Sequence, residues 1–219
     1  MDRLKLRLDL HVHTRCSRDS VNSIEEINRR CRDLSLDGYA VCDHDSIDSL
    51  TEAEASSRGL IVVPGLEVTA RGAHVLCFDP SEIIPVGLSI VETVERIHAQ
   101  AATAVLAHPY AIPRSMVRLR EAEDAGFDAI EVANSAQIPF DLVMGWNQDL
   151  AEKLGLPQTG GSDSHIPETF GRAYTMVESA SREPEDVIKA IKEGRTNVVG
   201  HGIGLGDRLR RMWRVMHKA

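Results

Sequence analysis

Short apolar runs recur along the chain, and most of the stretches between them space their apolar residues three and four apart. The runs predict strands at Leu6–Leu10, Tyr39–Cys42, Leu60–Val63, His74–Phe78, Ala104–Ala107, Ala129–Val132, Ala173–Val177 and Asn197–Val199. The longer stretches predict helices at Ser23–Leu34, Ser46–Ser57, Ser89–Ala101, Arg114–Ala125, Phe140–Leu154 and Glu185–Glu193; Ser23 with Glu26 three residues on is a capping box. Between Val62–Val63 and His74–Phe78 no helix intervenes, which reads as a hairpin-like excursion. Alternating strands and helices predict an α/β domain on a parallel sheet, either open or closed into a barrel. In both architectures a site is expected at the carboxyl ends of the strands.

Length and composition narrow the class. The 219 residues, 42% of them hydrophobic, suit one domain spanning 1–219. No apolar run reaches the roughly 18 residues of a membrane span, and MDRLKLRLDL lacks the apolar centre of a signal peptide, so a cytoplasmic protein without membrane contacts is expected. Cys16, Cys31, Cys42 and Cys77 match neither a zinc knuckle nor a CxxC pair and read as reduced, packed thiols. A net charge of −8 argues against a protein that coats nucleic acid. It leaves room for a phosphorylated substrate, because bound divalent cations invert the local sign of a site.

The chemistry collects in short motifs. In DLHVHT the even positions from Leu4 to Val12 are apolar, so strand alternation places Asp9, His11 and His13 on one face. Alone, an HxH pair is a weak signal and reads first as two solvated histidines at a strand end. Its company is what matters: Asp19 in RCSRDS, His44 in CDHD, Glu67 in GLEVT, His74 opening HVLCF, His108 in AHP, and Asp163 and His165 in GSDSH. Six of the nine histidines thus fall at strand edges, whereas His98 and His217 read as surface residues and His201 stays ambiguous. Imidazoles suit Zn, Mn or Fe, carboxylates bridge cations, and the lack of a cysteine quartet speaks against a closed structural zinc site.

These ordered motifs resemble the PHP (polymerase and histidinol phosphatase) family over Asp9 to His165. The resemblance implies a distorted seven-stranded β/α barrel with two or three divalent ions at its carboxyl-terminal face. One ion would take His11, His13, Glu67 and Asp163, a second would share Glu67 and add His74 and His108, and a third would take Asp19, His44 and His165. Several family members carry His where this chain has Asp19, which leaves the occupancy of the third position open. Cys42, standing where Thr is common, reads as packing, and Asp9, Asp43 and Asp45 read as acceptors that orient ligand imidazoles.

The implied activity is a metal-dependent phosphoesterase, with a hydroxide held between ions attacking phosphorus in line. His165 and His44 are candidates for supplying the leaving-group proton. Arg172 is a candidate phosphate clamp and catalytic residue, and Asn134 a candidate substrate contact. A small phosphorylated metabolite or nucleotide is the expected substrate, with a nucleoside 3′,5′-bisphosphate or the 5′ end of a short oligonucleotide favoured. Histidinol phosphate, a non-catalytic accessory module, and amidohydrolase-type C–N hydrolysis are the alternatives. Residues 205–219 read as a basic amphipathic helix, with Leu209, Met212, Trp213 and Met216 expected to dock on the barrel or on a partner subunit. The oligomeric state and the native metal are left open.

Overall fold

A computed structural model of the chain describes residues 3–111 and 115–218. Its strands are β1 (Leu4–Val12), β2 (Gly38–Val41), β3 (Ile61–Ala70), β4 (Ala73–Phe78), β5 (Thr103–Ala107), β6 (Ala129–Asn134), β7 (Gln158–Gly161), β8 (Ala173–Ser179) and β9 (Thr196–Gly200). The helices are α1 (Ile24–Asp33), α2 (Leu50–Ser56), α3 (Ile90–Ala99), α4 (Leu119–Ala125), α5 (Phe140–Leu154), α6 (Pro184–Lys192) and α7 (Leu205–Met216). The expected helix at Arg114–Ala125 begins on a residue outside the described ones.

Among the described residues the sheet has nine strands in the order β7-β6-β5-β4-β3-β2-β1-β8-β9, not the seven expected. The first seven follow chain order around a nearly closed barrel. Closure comes from the segment just past β7: Asp163 N donates to His11 O at 2.9 Å and His13 N to Ser164 O at 3.0 Å. The two extra strands, β8 and β9, pair antiparallel and extend the free edge of β1. The hairpin-like excursion is present as β3–β4, and β4 runs antiparallel to both of its neighbours.

Side-chain parity separates two layers. Leu8, Leu10, Ala40, Val63, Leu76, Val105 and Ala129, from strands all around the sheet, form one cluster with Val187 and Ile191 of α6. That cluster is the barrel interior, and α6 plugs it at the end opposite the site. Residues of the other parity pack outward, Tyr39 and Val41 under α1 and Leu106 and Ile130 under α3 to α5.

Three local departures have physical causes. The strand β7 reads QTGG, with Thr159 its one β-branched residue and no apolar side chain, because its backbone lies against β1: a Cβ on Gly161 would sit 2.6 Å from His11 N. The helix expected from Ser46 starts instead at Leu50, because Ser49 Oγ donates to Asp43 and Thr69 N donates to Asp45, so this segment serves the site. And α7 buries none of its residues: Leu205, Leu209, Met212, Trp213 and Met216 face outward, which overturns the expected docking of its apolar side on the barrel.

Candidate metal centre

Strand parity, a register shift and two tight turns together aim the donor groups into the barrel mouth. Glu67 on β3 and His74 on β4 both point inward, and because β4 is antiparallel its first residues lie at the same mouth as the last residues of the parallel strands. In β1 the pairing register with β2 shifts between Asp9 and Val12. Leu10 therefore packs in the interior while Val12 packs under α1, and the shift aims His11 and His13 into the mouth. His108 and Asp163 hold positive φ angles of 30° and 52°, backbone strain located where two strands turn abruptly to present a donor.

Glu67 is the hub. Its Oε1 lies 2.8 Å from His74 Nδ1 and 3.1 Å from His108 Nε2. Its Oε2 lies 3.4 Å from His11 Nε2, 3.2 Å from His13 Nε2 and 3.0 Å from His44 Nδ1. None of these three approaches is aligned as a hydrogen bond, so among the described residues Oε2 is buried without a partner, as are His165 Nε2 and Asp19 Oδ1. Nitrogen and carboxylate lone pairs that converge on shared space without hydrogen bonds fit cations between them. Among the described residues four donor sets are close enough to hold an ion: His11/His13/Asp163, His11/Glu67/His108, His44/Glu67/His74 and His13/His44/His165.

Eight of the nine expected ligands enter these sets, and Asp19 is the one outside them. Asp19 Oδ2 is 3.1 Å from His165 Nε2 and Oδ1 is 3.6 Å from His44 Nε2, so it borders the His13/His44/His165 set. Its other contact is Arg211 Nη2 at 2.8 Å.

The charges are strongly coupled. Burial opposes protonation of His13, but Asp163 and Glu67 overcome it and raise its pKa to about 9. Burial likewise opposes a charge on His11, and Glu131, Glu67 and Asp163 reverse that and hold it well above the usual histidine value. His165 goes the other way, to about 4, through burial and the neighbouring His13. Burial also lowers His44, despite the pull of Glu67. Glu67 and Asp163 stay well below the ordinary carboxylate range, because the surrounding imidazoles outweigh the cost of burial.

Glu131, absent from the sequence reading, is the main support of the centre. Its Oε1 is 2.9 Å from His11 Nδ1, His108 N donates to its Oε2 at 3.0 Å, and Asn134 Nδ2 donates to the same oxygen at 3.0 Å. A carboxylate on the second ring nitrogen fixes which nitrogen of His11 faces the mouth. The signal was a lone acid inside the apolar run AIEVAN, on a strand buried along its whole length. Asn134 also reaches Asp163 Oδ2 at 3.3 Å, so its amide is spent on two carboxylates.

The three aspartates expected to orient imidazoles hold the backbone instead. Asp9 accepts from Ser162 N at 2.8 Å and Gly171 N at 2.9 Å, and so ties β1 to the segment carrying Asp163. Its burial raises its pKa to about 6. Asp43 accepts from Thr14 N at 2.7 Å and from Ser17 Oγ at 2.7 Å, and only through Ser17, 3.1 Å from His13 Nδ1, does it reach a ring. Asp45 accepts from Thr69 N and Oγ1, each at 2.8 Å, and steadies the β3–β4 hairpin.

Arg172 lies outside the donor cluster, with Nη1 3.1 Å from His201 Nε2 and Nη2 3.8 Å from Asp207 Oδ2. Cys42 is fully buried in the barrel interior, where burial raises its thiol pKa. His98 pairs with Asp128 on the surface, and His217 stacks on Trp213.

With this geometry in hand, a family model described as PHP-associated matches residues 147–196, the span that runs from α5 through Asp163 and His165 to β9. A two-domain protein of Bacteroides vulgatus, described as containing a predicted PHP-like metal-dependent phosphoesterase, superposes with a TM-score of 0.75 at 20% identity, over 98% of this chain and 71% of its own. The chain has the PHP fold. Among relatives with similar sequence, an uncharacterized protein of Methanocaldococcus jannaschii is 27% identical over 83% of this chain and 74% of its own length. A 5′-3′ exoribonuclease of Haemophilus influenzae is 26% identical over 45% of this chain and 38% of its own. The PHP fold accounts for the barrel and for the place of the centre at its mouth. It leaves the substrate to the residues around that centre.

Proposed function

We propose that this chain is a metal-dependent phosphoesterase acting on monoesters of a small phosphorylated metabolite or nucleotide, with a nucleoside 3′,5′-bisphosphate or the 5′ end of a short oligonucleotide as the favoured substrate. The observation that carries the reading is Glu67, a buried carboxylate within 3.4 Å of the nitrogens of His11, His13, His44, His74 and His108. Donor sets that share Glu67, His11, His13 and His44 would hold ions side by side. Divalent ions held there would supply water of lowered pKa, from about 15.7 to about 7, and neutralise phosphate oxygens.

The chain's own groups divide the remaining work. His165 and His44, with depressed pKa values, stand unprotonated at neutral pH and offer lone pairs, which makes them poor donors of the leaving-group proton. That proton then comes from solvent at the open mouth, and both histidines serve as ligands. Glu131 and Asn134 orient His11 and Asp163 beneath the substrate, and Arg172 would clamp phosphate only by leaving Asp207. The partial likeness to an exoribonuclease supports the nucleotide preference.

Assay of Mn²⁺-loaded protein against a panel of phosphate esters, with His13→Ala as the control, tests the reading. Activity that disappears in the variant is expected. Loaded protein inert toward every ester would leave a metal-binding accessory module.

A further inference from the structure

The helix α7 is attached to the barrel mouth by its basic stripe. Arg208 donates to Ala136 O at 2.8 Å and Gln137 O at 3.2 Å, Arg211 to Asp19 at 2.8 Å, Arg214 to Glu168 at 2.7 Å, and Lys218 to Ser17 O at 2.7 Å and Arg15 O at 2.9 Å. Residues spaced three and four apart share one helix face, so these contacts form a single line with Arg211 near its middle. Anchors on both sides hold the guanidinium at the centre's edge. Its side chain is only 20% exposed, which is low for an arginine on a helix with no buried residue.

The partner of Arg211 is the acidic residue bordering the His13/His44/His165 set. Asp19 Oδ2 touches Arg211 Nη2 at 2.8 Å and faces His165 Nε2 at 3.1 Å, which leaves Oδ1 as its free oxygen. A divalent ion at Asp19, His44 and His165 would compete with a fixed positive charge for the same carboxylate. The donor sets around Glu67 and Asp163 have no such competitor: among the described residues no Lys or Arg forms a salt bridge with either.

We propose that Arg211 acts as a built-in counter-cation for Asp19, so that with α7 docked the centre takes two divalent ions and the Asp19–His44–His165 position is held by the guanidinium. The proposal rests on the metal-centre reading above and adds its stoichiometry. α7 thereby becomes a part of the centre contributed from the far end of the chain.

The metal-stripped 219-residue chain is titrated with MnCl₂ by calorimetry, and bound metal is counted by mass spectrometry after desalting. Wild type is expected to hold two ions per chain. Arg211→Gln is expected to hold three, or to show a third site tightened at least about tenfold, the worth of one charge-assisted bond. Arg211→Met, which keeps the aliphatic stem, should behave alike, Arg211→Lys should remain at two, and Asp19→Asn added to Arg211→Gln should abolish the third ion. Three tight ions in wild type, or identical stoichiometry and affinities in wild type and both neutral variants, would overturn this proposal alone. A wild-type chain that binds no Mn²⁺ would remove the metal-centre reading as well.

Discussion

Stripping the ions from the centre should uncover a pH dependence of stability that the loaded protein lacks. His13 is fully buried, and although burial alone would lower its pKa, Asp163 and Glu67 raise it from 6.5 to about 9. A histidine whose folded pKa lies above its unfolded value stabilises the fold fully below pH 6.5, and that contribution is lost as pH rises through 9. A rise of this size is worth roughly 3 kcal/mol, and His11 and His108 shift in the same direction. On the acid side His165 has the opposite sign. With its pKa depressed to about 4 by burial and by His13, its contribution is present above pH 6.5 and lost as pH falls through 4. Metal-free protein should therefore be most stable near pH 6.5 and weaken on both sides. In loaded protein the ions replace the site's protons, so the alkaline limb should vanish while the acid limb steepens as protons compete for the ligands. Urea unfolding followed by the fluorescence of Trp146 and Trp213 at pH 5, 6.5, 8 and 9.5, with and without Mn²⁺, measures both limbs. Metal-free protein as stable at pH 9.5 as at 6.5 would refute the account of the charges.

Further predictions test separate links. Glu67→Gln keeps the shape of the hub but removes its charge, and should weaken Mn²⁺ binding by more than the roughly 10–100-fold typical of an outer ligand partner, read by calorimetry. Glu131→Gln, one bond removed from the ions, should fall within that range, and an unchanged affinity would show that His11 is oriented by something else. Gly161→Ala should destabilise by about 1–3 kcal/mol and lower metal loading, since the new methyl meets His11 backbone across the barrel seam. Gly145→Ala, inside α5 with open space around it, should stabilise by up to about 1 kcal/mol in the same denaturation assay.

The sequence revealed most where one local rule governs one element. The capping boxes at Ser23/Glu26 and Ser89/Glu92 set the starts of α1 and α3, and apolar runs marked every strand except β7. That strand escaped because the rule it obeys is tertiary: its glycines answer to the backbone of β1, which lies about 150 residues away in the chain. Glu131 was missed for a related reason, since a single acid in an apolar strand shows its purpose only once His11 is seen beside it. The same holds for α7. Its periodicity was plain, but which stripe meets the protein depends on the acids at the barrel mouth, and there Asp19 and Glu168 select the arginines.

The hairpin β3–β4 carries a constraint on how this protein can change. Glu67 and His74 reach the same cavity because only the turn Arg71–Gly72 separates the paired residues Ala70 and Ala73. Inserting or deleting one residue at that tip would slip the ladder by one place and turn His74 toward the helical layer outside. Length variation there is therefore tolerable only in pairs of residues, a rule of parity that an exposed surface turn would not ordinarily impose.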